Sequence, residues 1–255
     1  MTPTEELYAS MQIAFDHFNA ELFDGKLPKV LFTTQRQHGM MGYFSAERWT
    51  SADGKKCHEI AINPLYVGRA TLIELMQTLV HEMAHCWQHC YGKPAIRSYH
   101  NKEWADKMTS IGLMPSTTGK PGGHRVGQHM GDYPKPKGKF IHSCARLLNE
   151  KQFTLPWVDR FAISSANVDD DVLSEGDHNN EPLMEALQGF DDSLIKQLTT
   201  SMNNLFGHDF FIDQEAKAVK KRKVKYTCPN CHINVWGKDG LSIRCDECDE
   251  LMYLN

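Results

Sequence analysis

Residues 81–85 read His-Glu-Met-Ala-His, a spacing that can act only if the surrounding chain is helical. A helix advances about 100° per residue, so His81 and His85 lie on one face, a turn apart, and can share one metal ion. The flanking residues supply the helix. Leu72, Leu75, Met76, Leu79, Val80 and Met83 recur at three- and four-residue steps, an apolar stripe suited to packing on a core. Thr71 followed by Glu74 has the form of a capping box, and Gly92 with Pro94 ends the run. The spacing predicts a helix over 71–88 that buries one face and offers two imidazoles on another.

Zinc accepts imidazole nitrogen and activates water without redox chemistry. Glu82, beside the first histidine, is placed to act as general base in metal-assisted hydrolysis. Two ligands do not make such a site, so a third is needed. His89 lies one further turn along, where a rise of about 6 Å carries it past an ion held by the first two. Cys86 and Cys90 fall on a rotated face and read as small buried apolar groups. His100 follows a chain break, at the head of a second helical segment in which Trp104 and Met108 face the core. The expected ligands are therefore His81, His85 and His100, with the fourth position left to water.

With those residues assembled, 7–113 resembles the SprT-like zinc metalloprotease domain, the SprT/Spartan-type family. The opening signature of that family is similar to Phe18-Asn19-Ala20-Glu21-Leu22-Phe23-Asp24-Gly25-Lys26-Leu27-Pro28. Its metal-binding helix matches 81–85, and its third histidine, followed four residues later by an aromatic, matches His100 and Trp104. The resemblance implies Glu82 as catalytic base, three histidine ligands, an α+β zincin fold and a protein substrate. One departure is local: many relatives flank the third histidine with glycines, whereas here Tyr99 and Asn101 stand there.

A second metal site is predicted near the end of the chain. Cys228-Pro229-Asn230-Cys231 and Cys245-Asp246-Glu247-Cys248 are two Cys-x-x-Cys pairs, and four thiolates close a tetrahedral structural zinc site. Residues 233–236 and 241–244 read as short strands joined through Gly237-Lys238-Asp239-Gly240, which makes the segment a zinc ribbon. So small a segment cannot bury enough apolar surface to fold unaided, and metal binding would supply the folding energy. His232 is a bystander once four thiolates are present. Two zinc ions are thus expected, one catalytic and one structural. Cys57, Cys86, Cys90 and Cys144 read as reduced thiols.

Four parts follow along the chain. A metalloprotease core occupies 5–114, and its coarse order is helix, three strands, active-site helix, ligand helix. The first helix, within 7–23, carries Met11, Ala14, Phe15, Phe18 and Leu22 at helical spacing. The strands fall at 30–33, 42–45 and 59–63, and a sheet edge would bind extended substrate by strand addition. Tyr43 and Tyr99 are the candidates for stabilising an oxyanion. A loop-rich extension of the core, rich in glycine and proline, covers 115–160. Within it Phe140-Ile141 and 153–157 read as short strands or docking segments, and His124, Arg125 and His129 as candidates to line the substrate cleft or touch phosphate, against the plainer reading of silent loop residues. Residues 161–216 read as an acidic, flexible linker interrupted by a short amphipathic helix around Leu183, Leu187, Phe190, Leu194, Ile195 and Leu198. A basic segment and the ribbon complete the chain at 217–255.

Charge and hydropathy bound the rest. A net charge of −4 argues against wholesale attraction to nucleic acid, but its distribution is uneven. No lysine or arginine occurs over 161–195, whereas Lys217, Lys220, Lys221, Arg222, Lys223 and Lys225 cluster before the ribbon. With Tyr226 and Trp236 available for base stacking, this cluster reads as a nucleic-acid contact, as a solvated helix face or as a segment that folds back on the acidic linker, and the family resemblance implies DNA. The acidic start lacks an apolar signal core, and no run approaches the ~20 apolar residues that span a bilayer. The expected setting is cytoplasmic, with association to the nucleoid and no membrane partner. The function expected is a zinc metallopeptidase, and the resemblance to the SprT/Spartan-type family implies DNA-associated or DNA-crosslinked proteins as its substrates. The alternative is a zinc-stabilised nucleic-acid-binding adaptor with an idle protease-like site.

Overall fold

In the computed structural model, which describes residues 1–37, 39–68, 70–96, 99–151, 153–162, 181–206 and 223–254, helix α1 (Pro3–Leu22) starts at a capping box closed by Thr2 and Glu5. That cap, with proline in the first turn, sets the helix start earlier than its apolar pattern alone suggests. The chain divides into two compact units, Met1–Asp213 and Gln214–Asn255.

In the first unit, strands β1 (Val30–Thr34), β2 (Gly42–Thr50) and β3 (Lys56–Ile62) form a sheet of order β1-β3-β2. Strand β3 is central, parallel to β1 and antiparallel to β2, so the far side of β2 is a sheet edge. A register shift between Ser45 and Trp49 lengthens β2 beyond its apolar stretch. Phe32, Ile60 and Ile62 face a core that they share with Phe15 and Phe18 of α1. After the single turn α2 (Pro64–Val67), helix α3 (Leu72–Tyr91) begins at the expected box of Thr71 and Glu74 and packs Ile73, Met76, Val80 and Met83 into that core. Helix α4 (Lys102–Ile111) is capped by Asn101 and stops at Gly112.

The extension is more regular than its composition implied. Strands β4 (Leu113–Ser116) and β5 (Gly131–Pro134) pair antiparallel, and helix α5 (Lys139–Lys151) packs on α1. Phe140 and Ile141 are therefore helical rather than strand residues. They join Cys144, Leu147 and Leu148 on one buried face, and this longer-range spacing outweighs their local strand preference. Residues 153–157 form no strand, although Phe153 and Leu155 are buried.

The acidic span also differs from expectation. Its described part holds helices α6 (Glu181–Ala186), α7 (Asp192–Thr199) and α8 (Met202–Phe206). Leu183, Leu187, Leu194, Leu198 and Met202 enter the main core, and Met202 N–H donates to the Ala70 carbonyl at the start of α3. This stretch is packed structure, not linker, because its apolar stripe found a partner surface while its carboxylates stayed outside. Asp169, Asp170, Asp171, Glu175 and Asp177 lie outside the described residues.

In the second unit, β6 (Val224–Thr227), β7 (Asn234–Gly237) and β10 (Tyr253–Leu254) form a sheet of order β10-β6-β7, and β8 (Arg244–Cys245) pairs with β9 (Glu250–Leu251). The expected strand over 241–244 is confined to Arg244. Strand β7 pairs instead with β6, because the Tyr226 hydroxyl binds the Lys238 carbonyl and the Leu241 N–H and holds 238–241 as a turn. Among the described residues no helix is long and apolar enough to cross a membrane.

Candidate metal centre

Helix α3 presents His81 and His85 a turn apart, as its period requires, and His100 arrives just before α4. Their Nε2 atoms converge: His85 to His100 is 3.1 Å, and His100 to His81 is 3.3 Å. A tetrahedral zinc with bonds of about 2.0–2.1 Å separates its ligand nitrogens by about 3.3 Å, so the donor set fits that ion. The rings rest on Trp104, whose ring centroid lies 4.8 Å from His81, 5.4 Å from His85 and 4.5 Å from His100. Trp104 is fully buried and so forms a rigid floor.

The groups that face the outer nitrogens of His81 and His100 come from the extension. His81 Nδ1 lies 3.0 Å from Asp132 Oδ2 on β5, and Gln77 donates its amide to Asp132 Oδ1 (3.1 Å) and to the Asp132 carbonyl (3.2 Å). His100 forms a two-way backbone bridge with Gly127, and its Nδ1 lies 3.2 Å from the Gly127 carbonyl. This bridge fixes the backbone at the position where relatives carry glycines. Asp132 was not singled out from the sequence, and Gly127 stood out only as one of the glycines that break up the extension. An aspartate near a strand has no period that ties it to a histidine some fifty residues earlier, and only the β4–β5 pairing brings them together.

Burial sets the protonation of the cluster. It holds the His85 imidazole well below its ordinary value and takes that of His100 down to about 4, leaving neutral rings with a lone pair to give. Burial also opposes charge on His81, but the bond to Asp132 and the nearby Glu82 carboxylate outweigh it and raise its pKa. Glu82 is 6% exposed, and burial pushes its carboxyl up to about 7, partly offset by His81 and by the Phe44 N–H of β2. Strand β2 passes close here. A Cβ on Gly42 would lie 2.9 Å from the Ala61 carbonyl, 3.0 Å from Thr78 Cγ2 and 3.4 Å from Glu82 Cγ.

The other candidates fall elsewhere. His89 packs on His58 and Phe44 with centroids at 5.1 and 5.9 Å, and Cys86 is fully buried. Cys90 Sγ lies 3.7 Å from His58 Nε2. His124 and His129 are exposed and outside the cluster, while Arg125 pairs with Asp106. Tyr43 turns its hydroxyl toward Glu59 at 3.5 Å, and Tyr99 is exposed.

In the second unit, one ligand atom from each of Cys228, Cys231, Cys245 and Cys248 lies within 4.8 Å of every other. Cys231 and Cys245 Sγ are 3.7 Å apart, close to the edge of about 3.8 Å set by zinc–thiolate bonds of about 2.3 Å. The backbone N–H groups of Cys231 and Asn230 draw the Cys228 thiol down to about 7. The four-cysteine cluster fits a zinc ribbon. Tyr226 is 3% exposed and cannot offer its ring to a base, which corrects that expectation, whereas Trp236 is 61% exposed. Lys225 stands opposite Trp236 in the β6–β7 register. Lys217, Lys220, Lys221 and Arg222 lie outside the described residues, while Lys223 immediately precedes β6.

Comparison with known proteins gives the same outline. The SprT-like family matches residues 11–121, which hold the sheet, α3, all three histidines and Glu82. The chain belongs to the SprT-like family. This SprT-like chain is 41% identical over 51 residues to an uncharacterized protein in the mucB 3′ region of Salmonella typhimurium, a match covering 20% of the chain and 69% of that protein. No solved structure matches it. The SprT-like domain is thus a mixed helix-and-sheet, metalloprotease-like domain with a histidine group suited to a metal.

Proposed function

We propose that this SprT-like chain is a zinc-dependent peptidase whose substrates are proteins associated with, or crosslinked to, DNA. The observation that carries the proposal is the convergence of three imidazole Nε2 atoms next to a buried glutamate on the same helix. His81, His85 and His100 would hold the ion. When bound, zinc supplies Lewis acidity, which brings the pKa of a water toward ~7 and polarises a scissile carbonyl. Glu82 takes up the proton that the water releases and returns it to the leaving amine. The edge of β2 supports the choice of an extended peptide as substrate. It runs beside Glu82, to which its Phe44 N–H donates, and as an edge strand it can take a strand added along it.

The DNA half of the proposal rests on the second unit. Lys225 and the exposed Trp236 share one face of the β6–β7 pair, a cation beside a ring on which a base can stack. The lysine and arginine cluster before β6 would add phosphate contacts.

Glu82→Gln tests the chemistry. The variant should keep zinc at the histidine site and lose at least about 100-fold in cleavage of a DNA-crosslinked protein. Undiminished proteolysis would remove Glu82 from the mechanism. DNA binding by the wild type with no chelator-sensitive cleavage of any protein would favour the adaptor instead.

A further inference from the structure

We propose that Asp132 is a positioning residue for the metal: its carboxylate accepts a hydrogen bond from the Nδ1–H of His81 and so turns the Nε2 lone pair of that ring into the site. The inference rests on the zinc reading of the histidine cluster and adds a residue outside the ligands and the base. Four observations carry it. The Asp132 side chain is 6% exposed and the His81 side chain 14%, so the pair is withdrawn from solvent, where a carboxylate is costly unless it has a bonded partner. The contact is to Nδ1, the nitrogen facing away from the cluster, while Nε2 of the same ring lies 3.3 Å from His100 Nε2. Gln77, one turn before His81 on α3, bonds the other carboxylate oxygen and leaves Asp132 little freedom to turn. The same arrangement recurs at His100, where the Gly127 carbonyl faces Nδ1 at 3.2 Å and Nε2 points inward.

A neutral imidazole has one N–H and one lone pair, and which nitrogen carries which is set by the bond that the outer nitrogen makes. Two of the three expected ligands thus have the outer nitrogen facing an acceptor, and both acceptors come from 127–132 in the extension. Asp132 differs from Gly127 in carrying charge, so it also raises the basicity of the His81 lone pair.

The test uses the full chain, with the ribbon zinc as internal reference. Wild type, Asp132→Ala and Asp132→Asn are compared by competition with a chromogenic chelator, and by nitrogen-15 NMR of the histidine rings in metal-free protein at pH 8.5. Asp132→Ala should weaken zinc at the histidine site by about 10–100-fold, leave the ribbon zinc in place, and shift His81 from the Nδ1–H toward the Nε2–H tautomer. Asp132→Asn keeps an acceptor and loses the charge, so it should retain the Nδ1–H tautomer with an affinity between the other two. Unchanged affinity in both variants, or a His81 tautomer indifferent to alanine, overturns the proposal. Should the alanine variant fail to fold, asparagine alone decides: a several-fold loss with the tautomer kept is expected, and wild-type affinity refutes it. None of these readouts requires peptide cleavage, so they stand even if the catalytic reading fails.

Discussion

At Glu82, burial places the carboxyl near pKa 7 against an ordinary 4.5. In the metal-free protein this has a consequence for stability that can be given a sign. As pH rises from 4.5 to about 7, the unfolded chain releases this proton before the folded chain does, so the native state loses stability across that window. A shift of this size corresponds to about 3 kcal/mol at most. Replacing Glu82 with glutamine removes the term. We expect the metal-free Glu82→Gln protein to gain on wild type from about pH 4.5 upward and the difference to level off above about 7, read as urea midpoints. His85 and His100 work in the opposite direction, since rings held below the ordinary 6.5 cost stability as the solution is acidified. Both proteins share that term, so the comparison cancels it. A difference independent of pH would show that Glu82 is not desolvated.

Among the elements, the joint between α4 and β4 does most to set the outer side of the site. Gly112 has φ +95°, and a Cβ there would lie 2.7 Å from the Lys139 N and 2.8 Å from the Phe140 N. Gly112→Ala therefore meets both backbone strain and the first turn of α5, and should cost about 1–3 kcal/mol or more, seen as a lowered Tm. A wild-type Tm would mean that the turn relaxes freely. The same joint explains what could be read in advance. Helix α3 was legible because stripe, cap and stop signals agree over one continuous run, and His100 because a second helix follows it. The β4–β5 pair was not, since glycines and prolines hide strands that exist only by pairing with each other across a long loop. Helices α6 and α7 showed their apolar residues plainly, but the acidic surroundings of Leu183 and Leu194 spoke for a solvated segment until a receiving surface was known.

At the scale of the molecule, the two compact units should depend on metal to different degrees. The first has a continuous core running from Met11 to Met202. The second exposes Ile233, Trp236, Leu241, Leu251, Tyr253 and Leu254, and its buried residues gather around Tyr226, Cys228 and Cys245. Removal of zinc by a strong chelator should unfold 223–254 while leaving α1, α3 and α5 protected, as followed by hydrogen exchange. Equal protection in the ribbon with and without metal would separate its folding from the four cysteines. These cysteines were legible because paired spacing survives any loop between them, whereas the strand partners inside the ribbon, β6 with β7 and β10, are set by backbone pairing that leaves no spacing to read.

The pairing of His81 with Asp132 also bears on where this protein can be cut. The family match ends at residue 121, after the three clustered histidines and Glu82 but before Gly127 and Asp132. A fragment trimmed at that boundary would hold the three histidines and Glu82 but lack the groups that face Nδ1 of His81 and of His100. A shortened form of this SprT-like chain should run through Phe206, the end of the helix that opens at the Met202 anchor.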